Sequence, residues 1–335
     1  MARAWLLKSR PTGMPTPDNF ELGEVADQPL GEGQIRVRNR WLSVDPYMRG
    51  RMNDVKSYVP PFQVGEPLQG GAVGEVMESR AEGFAPGDLV LHMFGWRDEA
   101  VVDTAGGIAG MGAQKLPAGG LPPQTFLHSL GLTGATAYFG LLKTAEAKAG
   151  DIVFVSAAAG AVGSAVVQIA KAKGMTVIGS AGGADKCAWV KELGADACLD
   201  YKTGPVLPQL AEAAPKGIDV YFDNVGGEFL DAAYATARNN ARFAICGMID
   251  MYNTGAPLEL RFFIRTIPAR IRTQGFIYTD YLSDIGEFMA DAGSMVANGQ
   301  LTMRETVREG LEATPDAFLG LFSGANTGKM LVRLD

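Results

Sequence analysis

Histidine and cysteine are scarce: the 335-residue chain has two of the first and three of the second. A metal hydrolase or a zinc dehydrogenase needs Cys, His or carboxylate ligands in workable clusters. His92 and His128 stand far from every cysteine in the sequence, so satisfied structural roles are expected for both, and no metal site. Cys187, Cys198 and Cys246 form no closely spaced pair. An odd, sparse set disfavours a disulfide framework and suits a reducing, cytoplasmic setting. Basic tracts are also missing. Lys and Arg number 30 against 37 Asp and Glu, a net charge of −7, which disfavours nucleic-acid binding because that affinity rests largely on phosphate neutralisation. No G-x-S-x-G elbow occurs, which leaves acyl transfer without an obvious nucleophile. The first ten residues hold only one short apolar run, too little for the core of a signal peptide.

Long apolar runs are nearly absent as well. One stretch, 152–170, has 19 consecutive residues without a charge, near the length of a membrane span. It contains Ser156, Gly160, Gly163, Ser164 and Gln168, and its pattern changes halfway. Ile152, Val153, Phe154 and Val155 read as a short buried strand, and Val162, Ala165, Val166, Ile169 and Ala170 fall at helical spacing. A strand, a glycine turn and a helix explain the run, and no membrane association is expected.

What the chain has in excess is glycine, 43 of 335 residues, about 13% against a usual ~7%. No three-residue period accompanies it, so collagen and flexible-linker readings fail. The 47% hydrophobic and 20% charged composition is that of a globular protein with a sizeable core. Many tight turns and close backbone approaches are therefore expected.

Length gives a soft prior for two domains. The first ~120 residues look β-rich. Along 34–43, Ile35, Val37, Asn39 and Trp41 alternate with Arg36, Arg38 and Arg40, and short apolar runs follow at 72–76, 89–93 and 99–102. Turns such as Pro86-Gly87-Asp88 separate them, as in a small barrel or sandwich. The turn-rich stretch 117–123 marks a boundary. Beyond it the rhythm is strand, helix, strand. Strands are expected at 152–156, 176–180, 197–200, 219–223, 242–247 and 272–277, and helices at 162–173, 185–193 and 228–237. Such alternation implies a doubly wound α/β parallel sheet of Rossmann type. The tail returns to β-like runs at 306–308 and 330–334 around a helix near 316–322, so it is expected to rejoin the first domain.

The first βα turn runs Val155-Ser156-Ala157-Ala158-Ala159-Gly160-Ala161-Val162-Gly163-Ser164. Gly160 and Gly163 fill the last two glycine positions of G-x-G-x-x-G, and Ala158 replaces the first. The free N–H groups and positive end of the following helix suit a pyrophosphate, and the strand-to-helix context is the one the motif requires. An NAD enzyme usually carries an acid at the tip of the second strand. Here Val177-Ile178-Gly179-Ser180-Ala181-Gly182-Gly183 has none, and Lys186 follows. A cation in a small-residue loop suits the 2′-phosphate of NADP(H); the alternative for Lys186 is an ordinary surface lysine. Asn224, after the fourth strand, suits a ribose or amide contact or else a helix cap. Tyr252, after the fifth, is a candidate proton donor or else a partly buried structural tyrosine.

These runs resemble the zinc-independent medium-chain dehydrogenase/reductase superfamily, and within it the prostaglandin reductase (leukotriene hydroxydehydrogenase), alkenal double-bond reductase and curcumin reductase group. The similarity spans nearly the whole chain. It is carried by Ser43-Val44-Asp45-Pro46-Tyr47-Met48-Arg49-Gly50, by Phe84-Ala85-Pro86-Gly87-Asp88-Leu89-Val90 and by Gly131-Leu132-Thr133-Gly134-Ala135-Thr136-Ala137-Tyr138-Phe139-Gly140. The turn at 157–164, Tyr221-Phe222-Asp223-Asn224-Val225-Gly226-Gly227 and Asn326-Thr327-Gly328-Lys329 complete it.

The resemblance implies a GroES-like β-barrel domain split between 1–123 and 300–335, beside a Rossmann NADP-binding domain at 124–299, with the active site between the two in a homodimer. It places Gly160, Ala161, Val162, Gly163 and Ser164 at the pyrophosphate, Lys186 at the 2′-phosphate and Tyr201 at the adenosine ribose. Asn224, Cys246, Gly247, Met248 and Tyr252 stand near the nicotinamide, with Phe276, Ile277 and Tyr278 on a strand beside it and Asn326 as a polar contact from the tail. Ser43 stands near where zinc dehydrogenases of the superfamily carry a cysteine ligand. Tyr47, Met111 and Tyr278 are candidate lining residues for an apolar small-molecule enone or enal. The implied reaction is hydride transfer from NADPH to the β-carbon of an α,β-unsaturated ketone or aldehyde, with Tyr252 as the catalytic hydroxyl. A quinone oxidoreductase and a non-catalytic NADPH-binding protein are the alternatives.

Overall fold

The computed structural model describes every residue except Asp27 and 107–111; the expectation for Met111 lies outside the described residues. The chain divides into two compact units. The first comprises Met1–Leu127, Glu305–Asn326 and Met330–Asp335, and the second His128–Arg304 with Thr327–Lys329.

In the first unit, β1 (Ala2–Leu7) pairs antiparallel with β2 (Phe20–Val25). A larger sheet begins with β3 (Gln34–Ser43), which leads through helix α1 (Tyr47–Arg51) to β4 (Ala72–Ser79), β5 (Leu89–His92), β6 (Glu99–Asp103) and the short β7 (Gln114–Lys115). The alternation along β3 holds as far as Asn39: Ile35, Val37 and Asn39 are buried. It then slips. The register against β4 shifts between Asn39 and Trp41, so Leu42 takes the buried position and Trp41 stays half-buried. A bulge moves side chains to the other face, which is why Trp41 is not on the inner side that simple alternation assigns it.

The second unit opens with helix α2 (Leu132–Phe139), which its Gly134 permits: a Cβ there would stand 2.0 Å from the Ser129 carbonyl oxygen. Six strands follow, β8 (Ile152–Val155), β9 (Thr176–Ala181), β10 (Ala197–Asp200), β11 (Ile218–Asp223), β12 (Ala237–Ile245) and β13 (Arg272–Gly275). All pair in parallel in the order β10-β9-β8-β11-β12-β13. That is the doubly wound 3-2-1-4-5-6 order, with its switch point between β8 and β11. Val153, Phe154 and Val155 are all fully buried, as a strand covered on both faces requires.

Helices α3 (Ala161–Ala172), α4 (Ala184–Glu192), α5 (Val206–Ala213) and α6 (Gly227–Thr236) connect the strands, and α7 (Thr266–Ala269) and α8 (Ile285–Ala297) follow. The uncharged run at 152–170 is thus β8, a turn and the start of α3, and among the described residues no helix is long and apolar enough to cross a membrane. β12 begins five residues earlier than the apolar pattern suggests, through a register shift against β11 and a left-handed Asn240 at φ +63°.

The tail supplies β14 (Glu305–Glu309), helix α9 (Thr314–Gly320) and β15 (Lys329–Arg333), and β15 pairs antiparallel with β3. Phe318 of α9 closes an aromatic cluster with Trp96 and Phe20, ring centroids 5.7 and 6.2 Å away. The fold class expected from the sequence, a Rossmann-type parallel sheet and a separate N-terminal sheet domain, is the one observed.

Candidate functional site

The turn after β8 is built by close backbone approach. Ala157 adopts a left-handed φ of +48°, a conformation usually left to glycine or Asn. Gly160 is the extended N-cap of α3. A Cβ on Gly163 would stand 2.3 Å from the Ala157 oxygen and 2.9 Å from the Ala158 Cα, so only glycine lets the helix seat on its turn. Ala161 and Val162 are partly exposed in the first turn of α3, where N–H groups lack intrahelical acceptors and the dipole favours an anion. Ser164 is fully buried, its Oγ 3.4 Å from the Ala161 oxygen and 3.5 Å from the Met303 sulfur; it packs the helix. The tail meets the same turn. The Gly328 N–H donates to the Ala159 oxygen at 2.8 Å, and Gly328, at φ +69°, has the Arg304 oxygen where a Cβ would be. Asn326 lies two residues earlier, in the first unit.

At the tip of β9 the residues make a small basic recess. A Cβ on Gly182 would meet the Tyr201 hydroxyl oxygen at 2.4 Å and the Lys202 Cε at 3.1 Å, so the glycine keeps room between them. Burial pushes the Lys186 ammonium below its ordinary pKa, and the charge of Lys202 adds to that. An arriving anion would relieve the repulsion between the two cations. Asp200 is engaged by the backbone there: its Oδ1 accepts the N–H groups of Gly183 at 2.9 Å and Lys202 at 3.0 Å. Tyr201 is 40% exposed, edge-on to Phe229 at 5.6 Å between centroids. Ser180, fully buried at the end of β9, has no hydrogen-bond partner for its Oγ.

The turns after β11 and β12 are tied together by Asp223, a residue that sequence reasoning passed over. Its Oδ1 accepts from the Tyr221 hydroxyl at 2.7 Å, the Ser156 hydroxyl at 3.2 Å and the N–H groups of Val225 and Gly226 at 2.9 and 2.8 Å. Its carbonyl oxygen accepts the N–H groups of Cys246 and Gly247 at 2.9 and 3.0 Å. Burial raises its carboxyl pKa against the lowering effect of these donors. The only hint in the sequence is position, since Asp223 ends a strand at the switch point. Asn224 is anchored rather than loose: its Nδ2 donates to the Ser156 oxygen at 2.8 Å, and its own N–H donates to Ser156 Oγ at 2.8 Å.

Tyr252 folds back over the β12 turn. Its hydroxyl oxygen accepts the Met248 N–H at 3.4 Å and lies 2.8 Å from where a Cβ of Gly247 would be. Burial, then the nearby Asp223, pushes the Cys246 thiol up to about 12, so it is not a nucleophile at neutral pH. Phe276 lies over Gly140, whose Cβ would be 2.2 Å from its ring, and is edge-on to Phe222 at 6.0 Å. Ile277 and Tyr278 follow, both half-buried, and burial raises the Tyr278 pKa.

Within the second unit the structure thus brings Gly160–Gly163, Asn224, Cys246–Met248 and Tyr252 to the carboxyl ends of β8, β11 and β12, and Lys186 and Tyr201 to those of β9 and β10. Tyr47 and Asn326 stand in the first unit. Tyr47 opens α1 there and is half-buried. Ser43 donates to Asp45. His92 is fully buried: its Nδ1 accepts the Phe94 N–H at 3.1 Å, so Nε2 carries the proton toward Asn39 Oδ1 at 2.9 Å. His128 Nδ1 accepts the Ser129 N–H at 2.7 Å. Among the described residues no three His, Cys, Asp or Glu side chains form a group able to hold a metal ion.

The chain matches the family model described as the N-terminal domain of oxidoreductase over residues 3–109 and the one described as zinc-binding dehydrogenase over 161–294. It is 42% identical over 339 residues to the NADPH-dependent curcumin reductase of Escherichia coli (strain K12), covering 99% of this chain and 96% of that one. It is 39% identical over 338 residues to prostaglandin reductase 1 of Rattus norvegicus, covering 99% of each. The solved structure of CurA in complex with NADPH from Vibrio vulnificus superposes with a TM-score of 0.92 at 42% identity, covering 99% of both chains.

Proposed function

The chain belongs to the zinc-independent medium-chain dehydrogenase/reductase superfamily, and on that premise we propose that it is an NADPH-dependent reductase of carbon–carbon double bonds conjugated to a ketone or aldehyde. The observation that carries the cofactor choice is the recess at the tip of β9, where Lys186 and Lys202 converge beside Gly182 and the acid Asp200 is engaged by backbone N–H groups. A 2′-phosphate suits two cations and a glycine clearing; a bare ribose hydroxyl would need a free carboxylate. The glycine-seated start of α3 suits the pyrophosphate.

When bound, NADPH supplies the hydride that adds to the β-carbon of the enone. The chain's own contribution is to bind, orient and stabilise charge. Ala161, Val162 and Gly163 present the helix N-terminus, and Gly247 keeps space open beside Asn224. Negative charge develops on the carbonyl oxygen as the β-carbon is reduced. The Tyr252 hydroxyl, held over Gly247, is the group we assign to stabilise that enolate, an effect worth roughly 3 kcal/mol in oxyanion sites. The α-carbon is then protonated from solvent. Tyr278 contributes a half-buried aromatic surface to an apolar substrate.

We further read the protein as a cytoplasmic homodimer. The location follows from its sparse cysteines. For the dimer, β13 is an edge strand with all four residues exposed, and Phe263, Ile264 and Ile267, just before it, are 53%, 68% and 73% exposed. An uncovered edge beside apolar side chains suits pairing with a second copy, which sedimentation of the purified protein tests.

The decisive assay is NADPH oxidation with a simple enone, with a quinone, and without acceptor. Turnover of the enone with formation of the saturated ketone is expected. Turnover of the quinone alone would make it a quinone oxidoreductase, and binding without turnover of either would make it a non-catalytic NADPH-binding protein.

A further inference from the structure

The sulfurs of Cys187 and Cys198, eleven residues apart in the chain, are 3.0 Å apart in space. Cys187 lies in the first half of α4 and is buried, and Cys198 lies on β10 and is partly exposed. Their spacing in the sequence gives no sign of this, because the turn after α4 folds β10 back along the helix. A disulfide requires an S–S distance of about 2.05 Å, so a closure of about 1 Å would join them.

We propose that Cys187 and Cys198 form an oxidant-sensitive dithiol whose disulfide loosens the neighbouring recess, a link that rests on the reading of that recess as the 2′-phosphate site. Four connections place the pair against the recess. Cys187 follows Lys186 in the chain. Its thiol lies 3.5 Å from the Leu199 carbonyl oxygen and 3.9 Å from that of Ala181, the residue before Gly182. Cys198 is two residues before Asp200, whose carboxylate holds Gly183 and Lys202 in place. Drawing α4 and β10 together therefore displaces both sides of a clearing in which the Tyr201 hydroxyl already lies 2.4 Å from where a Cβ of Gly182 would be.

The chemistry balances with hydrogen peroxide as oxidant. The less buried cysteine, Cys198, as its thiolate, attacks the peroxide oxygen: an S–O bond forms, the O–O bond breaks and hydroxide leaves to become water. The Cys187 sulfur then attacks the resulting sulfenic acid, the S–S bond forms, and the S–O bond breaks with loss of a second water that carries the Cys187 proton. The two thiols lose two electrons in total and the peroxide gains them. Burial, with Cys187 beside it, raises the Cys198 thiol pKa, so the attacking thiolate is scarce and the reaction slow.

The test treats the full-length protein with hydrogen peroxide, then digests it with trypsin without reduction. Cleavage after Lys186, Lys191 and Lys202 puts the two cysteines on separate peptides, 187–191 and 192–202. A cross-linked pair of these peptides, lighter by two hydrogens than their sum, is expected. With it the Kd for NADPH should rise by about fivefold or more, the lower end of ordinary coupling between sites. Dithiothreitol should restore the affinity, and Cys198→Ser or Cys187→Ala should abolish the response. Recovery of both cysteines unlinked would overturn the proposal, and so would a disulfide that leaves the Kd for NADPH unchanged. Should the cross-link form in a protein that, when reduced, binds NADPH no better than NADH, the 2′-phosphate reading fails and the dithiol stands, so the two failures can be told apart.

Discussion

Replacing Gly163 by alanine is the sharpest perturbation of the nucleotide turn. The new Cβ would sit 2.3 Å from the Ala157 oxygen and 2.9 Å from both the Ala157 carbonyl carbon and the Ala158 Cα. All three are backbone atoms, so no rotamer change relieves the clash. Because a real contact needs more than 3 Å, the first turn of α3 must retreat by on the order of 1 Å, and overpacking of this kind costs roughly 1–3 kcal/mol. Part of that is offset, since alanine favours a helix over glycine by about 1 kcal/mol.

The larger effect is on binding. A shift of that size takes N–H groups out of reach of the phosphate oxygens, and one lost hydrogen bond to a charged group is worth about 1.5–3 kcal/mol, or roughly 10- to 100-fold in Kd. Fluorescence titration with NADPH measures it. Gly293→Ala in α8 is the matched control, because nothing lies within 4 Å of its Cβ position; it should bind NADPH normally and melt slightly higher. A Gly163→Ala protein that binds NADPH within about twofold of the parent, a difference of only ~0.4 kcal/mol, would refute the reasoning.

Three further outcomes follow from the same geometry. Lys186→Ala should raise the KM for NADPH at least tenfold, the size expected for one lost charge-assisted contact of about 1.4 kcal/mol or more, and leave the KM for NADH nearly unchanged; equal effects on both would remove the 2′-phosphate assignment. Tyr252→Phe should lower kcat with an enone at saturating NADPH by about 100-fold, the lower range for loss of an oxyanion donor, and full kcat would deny the hydroxyl that role. His92 titrates near pH 6.5 when unfolded but is held to about 3 in the fold by burial and then by the nearby Arg97. Between those values the unfolded chain binds the extra proton, so stability present above pH 6.5 is lost as the pH falls toward 3, with a slope of up to ~1.4 kcal/mol per pH unit. In denaturant titrations from pH 7 to 4, His92→Gln should flatten that slope.

The parallel sheet was legible where its strands are short apolar runs, as at β8 and β11, and where glycine caps the crossover helices, as at α3, α4 and α6. Ile152–Val155 and Ala197–Asp200 stand where periodicity places them. The misreadings occur where a local irregularity breaks the period. The bulge after Asn39 turns Trp41 outward and Leu42 inward. The left-handed Asn240 lets β12 start well before its apolar core. Neither leaves a mark in hydrophobic spacing, because a bulge is a change of register and register is fixed by the partner strand.

The site divides along the same line. Gly160, Gly163 and Lys186 could be found because a turn that must approach a phosphate restricts the residue types within one short segment. Asp223 could not, because its work is done on three separate turns, at Ser156, at Val225 and Gly226, and at Cys246 and Gly247. The cysteine pair is hidden in the same way, since only the return of β10 along α4 brings its sulfurs to 3.0 Å. Local motifs thus report where a ligand's charge is met, whereas the residues that hold several loops in one arrangement are visible only once the sheet has set the order of its strands. This is why Asp223 is expected to matter for the geometry of Asn224 and the β12 turn, although the run at 221–227 that contains it gives no sign of that role. One unpartnered carboxylate oxygen, Oδ2, buried beside four satisfied contacts on Oδ1, marks how much the fold commits to keeping that acid in place, since a buried polar atom without a partner costs about 1–3 kcal/mol.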